Sequence, residues 1–180
     1  MPGSNQSIVE PQEFERLFEQ THRTVFRFIF GLCGGPLQQV EDITAETYFR
    51  AWRSRRNFTG DEQAALSWLL TIARNLVFDT FRRIKNAGLA LSTDDPAIYL
   101  ELPDKLASPE TLAETQDQLQ ILWKLIVDLE SSQREMVVLR FMLNWPVWQI
   151  AEHLGINENT VSVNLRRILE KMRKNWPYQE

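Results

Sequence analysis

Residues 147–174, VWQIAEHLGINENTVSVNLRRILEKMRK, contain the most specific structural pattern in the chain. Within it, Ala151, Gly155 and Val161 follow one another at intervals of four and six residues. A small residue lets two crossing helices approach, glycine tolerates the positive φ of a tight turn, and valine returns to the core. Asn157 is a good N-cap for the second helix. The spacing predicts a helix-turn-helix, which places its second helix in a DNA groove.

The exposed side of this second helix is a candidate DNA-contacting surface. Val161, Leu165 and Met172, with Ile168 or Leu169, keep helical spacing and are expected to face the core. The residues left on exposed surfaces are Glu158, Asn159, Ser162, Val163, Arg166 and Arg167. The alternative interpretation is an ordinary helical hairpin with a glycine turn.

Length and composition are those of an ordinary globular protein. The chain has 180 residues, of which 43% are hydrophobic and 24% charged. No apolar run approaches the ~20 residues that cross a bilayer. The start, MPGSNQSIVEPQEF, lacks the basic and apolar segments of a signal peptide. We therefore expect a cytoplasmic protein without direct membrane insertion.

Cysteine and histidine usage argues against a metal or redox centre. Cys33 is the only cysteine, which excludes an intrachain disulfide and a cysteine metal cluster. Its apolar surroundings predict a buried, inert thiol. His22 and His153 are expected at helix surfaces or edges, and neither has neighbours at ligand spacing. No metal site and no cofactor are predicted.

The distribution of charge qualifies the helix-turn-helix prediction. The formal net charge is −4, which is unusual for a DNA-binding protein. Residues 86–112 carry five acids and one base, and this segment accounts for the whole excess. Basic residues cluster near residues 82–85 and 166–174, and local fields determine where phosphate binds. The weak overall basicity argues against tight DNA binding by this chain alone.

Glycine and proline residues separate segments that have helical patterns. This arrangement predicts an all-α fold with two small helical domains joined by a flexible linker. Residues 10–85 form a three-helix domain, residues 86–107 the linker, and residues 108–176 a four-helix domain containing the helix-turn-helix. The first helix follows Pro11, and the next two are expected at about 37–55 and 62–85.

Several local signals locate helix starts and buried faces. Phe14, Leu17 and Phe18 belong to the apolar stripe of the first helix. The pair Ser108-Pro109 is typical of an N-cap followed by proline at the first helical position. The segment from Ser132 to Glu135 is interpreted as a capping box that opens the next helix.

Two surfaces of the N-terminal domain carry residues that a core does not need. On the second helix an aromatic stands among charges of both signs, which favours a protein-docking surface or a solvated helix face. This set is Asp42, Glu46, Phe49, Arg50 and Arg53. The third helix mixes aromatic, basic and amide groups, a mixture that suits single-stranded nucleic acid, although tryptophans are often core residues. This set is Trp68, Arg74, Asn75, Asp79, Arg82 and Arg83, joined by Asn57 and Phe58 from the preceding loop.

Three segments together resemble extracytoplasmic-function sigma factors, the smallest sigma-70-type initiation factors of bacterial RNA polymerase. VEDITAETYFRAW (40–52) is similar to the family's acidic-aromatic second helix. WLLTIARNLVFDTFRR (68–83) is similar to its promoter-melting helix. The segment 129–173, with REMVVLRF and IAEHLGINENTV, is similar to its C-terminal helix-turn-helix domain. The resemblance covers residues 10–174 and includes a variable linker in the expected place.

The resemblance implies a role for each surface. The set around Asp42 would dock on the clamp of core RNA polymerase, and the C-terminal domain would meet the flap. The set around Trp68 would recognise the −10 element and capture an extruded base. The −35 element would be read by Asn157, Glu158, Asn159, Thr160, Ser162, Val163, Arg166 and Arg167. It also implies promoter DNA and an anti-sigma factor as partners, with no small-molecule substrate.

Two other classes of function compete with this interpretation. A conventional helix-turn-helix regulator would bind a palindrome without polymerase, and the aromatic-basic third helix would then have no role. A purely protein-binding helical module would leave the recognition helix unused. An enzyme is not expected, because the sequence has no glycine-rich phosphate loop, metal set or nucleophile–base pair.

Overall fold

The computed structural model describes residues 8, 10–34, 36–86 and 109–177. The chain divides into two compact units, residues 1–91 and 92–180. All regular secondary structure in the described ranges is helical, which confirms the predicted all-α fold with two helical parts. Of the predicted linker, only Asn86 falls among the described residues, as the last residue of a helix.

The N-terminal unit contains three helices with nearly the predicted bounds. Helix α1 spans Pro11–Cys33, α2 spans Leu37–Ser54 and α3 spans Glu62–Asn86. A short 3-10 turn, Arg55–Asn57, follows α2. Each helix packs against the other two. The exposed side of α2 and the loop before α3 are thereby held on one small bundle.

Apolar side chains from all three helices form the core of this unit. Fully buried residues include Phe28 and Ile29 of α1, Val40 of α2, and Leu69 of α3. Removing these groups from water is the main favourable contribution to folding. Cys33 is also buried, as its apolar surroundings predicted.

A hydrogen-bonded tyrosine lies at the edge of this core. The hydroxyl groups of Thr21 and Tyr48 are 2.8 Å apart. Burial raises the pKa of Tyr48 to about 12, and the hydrogen bond with Thr21 acts in the opposite direction. The ring of Phe18 packs edge-on to Tyr48 at 4.8 Å and remains 41% exposed. Phe18 was expected in the buried stripe, and that expectation is wrong because its ring covers the rim of the core.

The C-terminal unit contains the four predicted helices. Helix α4 spans Pro109–Val127, α5 spans Ser131–Val137, α6 spans Val147–Leu154 and α7 spans Glu158–Lys174. Proline is the first residue of α4, as predicted, while its expected N-cap Ser108 lies outside the described residues.

The end of α5 widens into a π-helical turn, Val138–Met142. The N–H of Leu143 donates to the carbonyl of Val138, five residues earlier, at 3.1 Å. Asn144 follows with a φ of 56°, and no other non-glycine residue in the described ranges has a positive φ. Asparagine tolerates this left-handed conformation better than most residues. The chain then leads directly into α6.

The predicted capping box at the start of α5 is wrong. The helix begins at Ser131 after the N-cap Glu130, and no side chain caps it. Glu135 therefore lies deeper in the helix, where its side chain is only 3% exposed. Its Oε1 lies 3.4 Å from Nε2 of His153 in α6. A buried carboxylate is costly without a polar or charged partner, and the imidazole of α6 lies at this distance from it.

A small polar cluster thus joins α5 to α6. His153 was expected at a helix surface or edge, yet its side chain is 1% exposed, so that expectation is wrong. The ring of Trp145 stands perpendicular to the imidazole at a centroid distance of 5.5 Å. We call Glu135, Trp145 and His153 the α5–α6 polar cluster. The neighbouring Arg134 instead donates to the backbone carbonyls of Val127 and Leu129 at the end of α4.

Helices α6 and α7 form the predicted helix-turn-helix. Gly155 has a φ of 66°, and a Cβ there would meet nothing within 4 Å, so the backbone conformation alone favours glycine. Ala151 and Val161 are buried where the helices meet. Asn157 caps α7, because its side-chain oxygen accepts the N–H of Asn159 at 2.8 Å. The four sequence signals that predicted this motif are confirmed.

Candidate protein and nucleic-acid interfaces

The five residues predicted for protein docking lie together on the solvent side of α2. At 100° per residue, Asp42, Glu46, Phe49 and Arg53 fall within a sector of about 60°, and Arg50 lies beside it. Phe49 is 55% exposed, and the charged members are exposed or half-buried. We call these five residues the docking face.

Side chains of the docking face contact one another at the surface of α2. Nε of Arg50 lies 2.7 Å from Oε1 of Glu46, and both side chains are solvent-exposed. The guanidinium of Arg53 stands over the ring of Phe49, 5.7 Å from its centroid. Exposed pairs of this kind contribute little to stability. Breaking these contacts would therefore cost little free energy.

The residues predicted to read the −10 element share one side of α3, with one exception. Helical geometry places Trp68, Asn75, Asp79, Arg82 and Arg83 within a sector of about 100°. Nη1 of Arg82 lies 3.4 Å from Oδ1 of Asp79; the side chain of Arg82 is largely exposed and that of Asp79 is about half exposed. The structure thus brings aromatic, amide and basic groups to one surface, a combination suited to stacking bases and binding phosphate.

The exception is Arg74, which begins on another side of the helix. Around the axis of α3, Arg74 is rotated by 100° from Asn75, the next residue in the chain. The long side chain nevertheless reaches around, so that Nε and Nη2 both lie 3.4 Å from Oδ1 of Asn75. Arg74 therefore borders the surface on α3 instead of lying at its centre.

The loop before α3 brings the other two predicted residues to this surface. Asn57 is exposed at the end of the 3-10 turn. The ring of Phe58 stacks on Trp68, with centroids 5.0 Å apart and planes inclined by 32°. Asp61 caps α3 by accepting the N–H of Ala64 at 2.9 Å. Sequence reasoning grouped Phe58 and Trp68 without foreseeing their contact; the short glycine-containing loop between two aromatics was the available signal.

The predicted −35 residues occupy the exposed side of α7, opposite its buried stripe. Asn159, Ser162, Val163 and Arg166 fall within a sector of about 100°. Nε of Arg166 is 3.9 Å from Oε1 of Glu170, and both side chains are exposed, so this neighbour holds it weakly. The flanking members are Glu158, Thr160 and Arg167, all exposed, while Asn157 is engaged in the cap.

Within residues 10–34, 36–86 and 109–177, no group of three or more histidine, cysteine, aspartate or glutamate side chains is arranged to hold a metal ion. The helices of these ranges also lack a segment with the length and hydropathy that crossing a bilayer requires.

Comparison with known proteins identifies the family of the chain. Residues 17–87 match sigma-70 region 2, and residues 119–172 match sigma-70 region 4. The sigma factor BldN of Streptomyces coelicolor is 32% identical across 93% of this chain, and the match spans 62% of BldN, less than two thirds of its length. SigL of Mycobacterium tuberculosis is 26% identical, with 94% of this chain and 92% of SigL covered. Both relatives are named as ECF RNA polymerase sigma factors.

Solved structures agree on the fold. RpoE of Bartonella quintana, solved with the anti-sigma factor NepR, superimposes with a TM-score of 0.68 at 18% identity, covering 94% of this chain and 99% of RpoE. CnrH, solved with the cytosolic domain of CnrY, gives 0.61 at 20% identity, covering 92% and 88%. The chain belongs to the sigma-70 family. Within that family it is an extracytoplasmic-function (ECF) sigma factor.

Proposed function

We propose that the chain binds core RNA polymerase and directs promoter-specific transcription initiation. The docking face is the observation that carries this proposal, because a DNA-binding regulator that acts without polymerase has no use for it. In this face Phe49 is exposed among charged side chains. The same three-helix bundle also carries the aromatic, amide and basic surface of α3. In a sigma factor the natural partner of this face is the clamp of core polymerase.

The α3 surface is the proposed reader of the −10 element. Trp68 and Phe58 supply aromatic faces, Asn57 and Asn75 supply amides, and the arginines supply positive charge for the backbone. Bases taken out of the duplex can regain stacking and hydrogen bonds on such a surface. Binding energy would then offset the cost of strand separation without hydrolysis of ATP.

Helix α7 is the proposed reader of the −35 element. The major groove admits an α-helix, and the first turns of a recognition helix contact base edges. Arg166 offers a bidentate donor, Asn159 and Ser162 offer shorter polar groups, and the exposed Arg167 adds positive charge beside them. The C-terminal unit would also meet the polymerase flap, so that both units act on one promoter.

The remaining assignments follow from this role. We propose residues 10–85 as the clamp-binding and −10 domain, 86–107 as the linker and 108–176 as the −35 domain. RpoE and CnrH were each solved with a binding partner, and we propose that an anti-sigma factor likewise controls this chain. Action with polymerase implies the bacterial cytoplasm, and requires neither a catalytic group nor a cofactor.

Reconstitution with core polymerase tests the proposed function. Purified chain added to bacterial core RNA polymerase is expected to bind it and to start transcription from a subset of promoters in a genomic library. Core polymerase alone is the control. A chain that fails to bind core polymerase, yet shifts duplex DNA by itself at moderate salt, would contradict the proposal and favour a conventional regulator.

Arg166 provides a test of the −35 assignment. Replacing Arg166 with alanine is expected to weaken promoter binding by the reconstituted holoenzyme by ~1–3 kcal/mol, if the arginine contacts a base in bidentate fashion. Lys171→Ala is the matched control, since Lys171 is exposed on the same helix, about 140° away around its axis. Equal losses in both variants, measured by promoter titration, would reduce Arg166 to a phosphate contact.

A further inference from the structure

The aromatic pair at the start of the −10 surface is closed. The rings of Phe58 and Trp68 have centroids 5.0 Å apart and planes inclined by 32°. Stacked aromatic rings typically lie at 4.5–7 Å between centroids, so this pair is in contact. To admit a base between them, the two rings would have to separate to roughly twice the spacing of a stacked pair. The indole face that Phe58 covers is therefore closed to a base while the contact persists.

The loop geometry keeps the Phe58 ring in this position. The backbone N–H of Phe58 donates to the carbonyl of Arg55 at 3.2 Å, and this hydrogen bond closes the preceding 3-10 turn. Gly60 lies on the ring: a Cβ added there would be 3.0 Å from Cζ of Phe58 and 2.7 Å from Cβ of Ala64. Ala64 is fixed in the first turn of α3, whose N-terminus Asp61 caps. The absence of a side chain at Gly60 thus makes room for the closed pair.

We propose that Phe58 covers the base-stacking face of Trp68 in the isolated sigma factor, and that a single unpaired base displaces it. This inference rests on the proposed reading of the −10 element by α3. Stacking of a base on Trp68 is at least as favourable as the contact between two aromatic side chains. Replacing the Phe58 ring by a base therefore costs little free energy. Bases inside a duplex are already stacked on their neighbours, and only an unpaired base gains from the exchange.

The proposal changes the role of Phe58. With Trp68 alone as the platform, Phe58 is a positioning residue that limits access to it, and Gly60 sets where Phe58 can lie. An isolated sigma factor then has a low affinity for single-stranded DNA. Its −10 surface becomes available where melting supplies an unpaired base.

The test measures single-stranded DNA binding at Trp68 itself. The full chain carries six tryptophans, and isotope labelling of their side chains gives indole resonances, among which Trp68→Phe identifies the one from Trp68. The probe is oligothymidylate of about 15 nucleotides, within the site size of single-strand binding surfaces. Titration of each variant yields a dissociation constant from the Trp68 resonance.

Removing the cover is expected to strengthen binding. Phe58→Ala should lower the dissociation constant about fivefold relative to wild type, because the probe no longer competes with a ring. Phe141→Ala is the matched control, since Phe141 is an exposed phenylalanine in the other unit.

Gly60→Ala provides an independent variant that keeps both aromatics. Because Ala64 is held in a helix, the added methyl group should displace the Phe58 ring, shift the Trp68 resonance before any DNA is added, and tighten binding less than Phe58→Ala does. Equal or weaker binding by Phe58→Ala would overturn the proposal, as would a Trp68 resonance that responds to the probe in no variant. Failure to bind core polymerase would instead contradict the proposed function, and it is measured separately.

Discussion

Replacing Asp42 with arginine is expected to weaken binding of the chain to core RNA polymerase by about tenfold or more, which corresponds to about 1.4 kcal/mol. The substitution adds a third cation to the docking face, which already carries Arg50 and Arg53, and removes one of its two carboxylates. Like charges set against a complementary partner surface cost binding energy and slow association. Affinity is measured with purified core polymerase at two salt concentrations, since the charge component should shrink as salt rises.

The fold should survive this change. Asp42 is exposed, and Gln38, one helical turn away, donates a hydrogen bond to its Oδ1 at 3.1 Å. Substitutions at exposed positions of this kind typically alter stability by no more than about 0.5 kcal/mol. Glu41→Arg is the matched control, because it makes the same charge reversal at an exposed position about 100° away on α2. Wild-type affinity in Asp42→Arg, or an equal loss in Glu41→Arg, would place the docking surface elsewhere.

Replacing Glu135 with methionine is expected to destabilise the C-terminal unit by about 3 kcal/mol. The change removes the carboxylate that faces the buried imidazole of His153 while leaving that polar ring inside the unit. Truncating one member of a buried polar pair costs more than the pair contributes, because the remaining group has been desolvated. Hydrogen exchange of the α6 backbone amides in the full chain reports the opening free energy of this unit alone.

Two further variants make that result specific. The double variant Glu135→Met, His153→Leu should recover much of the lost stability, because an apolar pair of similar volume needs no polar partner. Ser132→Ala should change the opening free energy by less than about 0.5 kcal/mol, since the serine does not cap α5. A large loss in Ser132→Ala, or a double variant no more stable than the single one, would contradict the role assigned to the α5–α6 polar cluster.

The parts of the fold that follow from local chemistry could be predicted from the sequence. Gly155 supplies a positive φ, Asn157 supplies a side-chain acceptor for the next turn, and Pro109 fits the first helical position. Each of these signals involves residues within one turn of one another, so neighbouring sequence contains all the necessary information. The exposed side of α2 was predicted for the same reason, because helical spacing alone separates it from the buried stripe.

Features that depend on distant partners could not be predicted in this way. The sequence around Glu135 fits a capping box, whereas the buried carboxylate faces His153, eighteen residues later. Phe18 fits the apolar spacing of α1 but covers Tyr48 at the rim of the core. The contact of Phe58 with Trp68 depends on the path of the intervening loop, which periodicity does not specify.

The π-helical turn at the end of α5 has a consequence for the evolution of chain length. Its ring, closed from Leu143 to Val138, holds one residue more than an α-helical turn. Because this wider turn takes up its extra residue within about one revolution, deleting one residue from it would restore α geometry and leave the following segment nearly in place. The buried Trp145 would then keep its position without compensating changes nearby. We therefore expect single-residue deletions among homologues to be tolerated within residues 138–142, and to be rarer in the α-helical part of α5, where each deletion turns the following residues by about 100°.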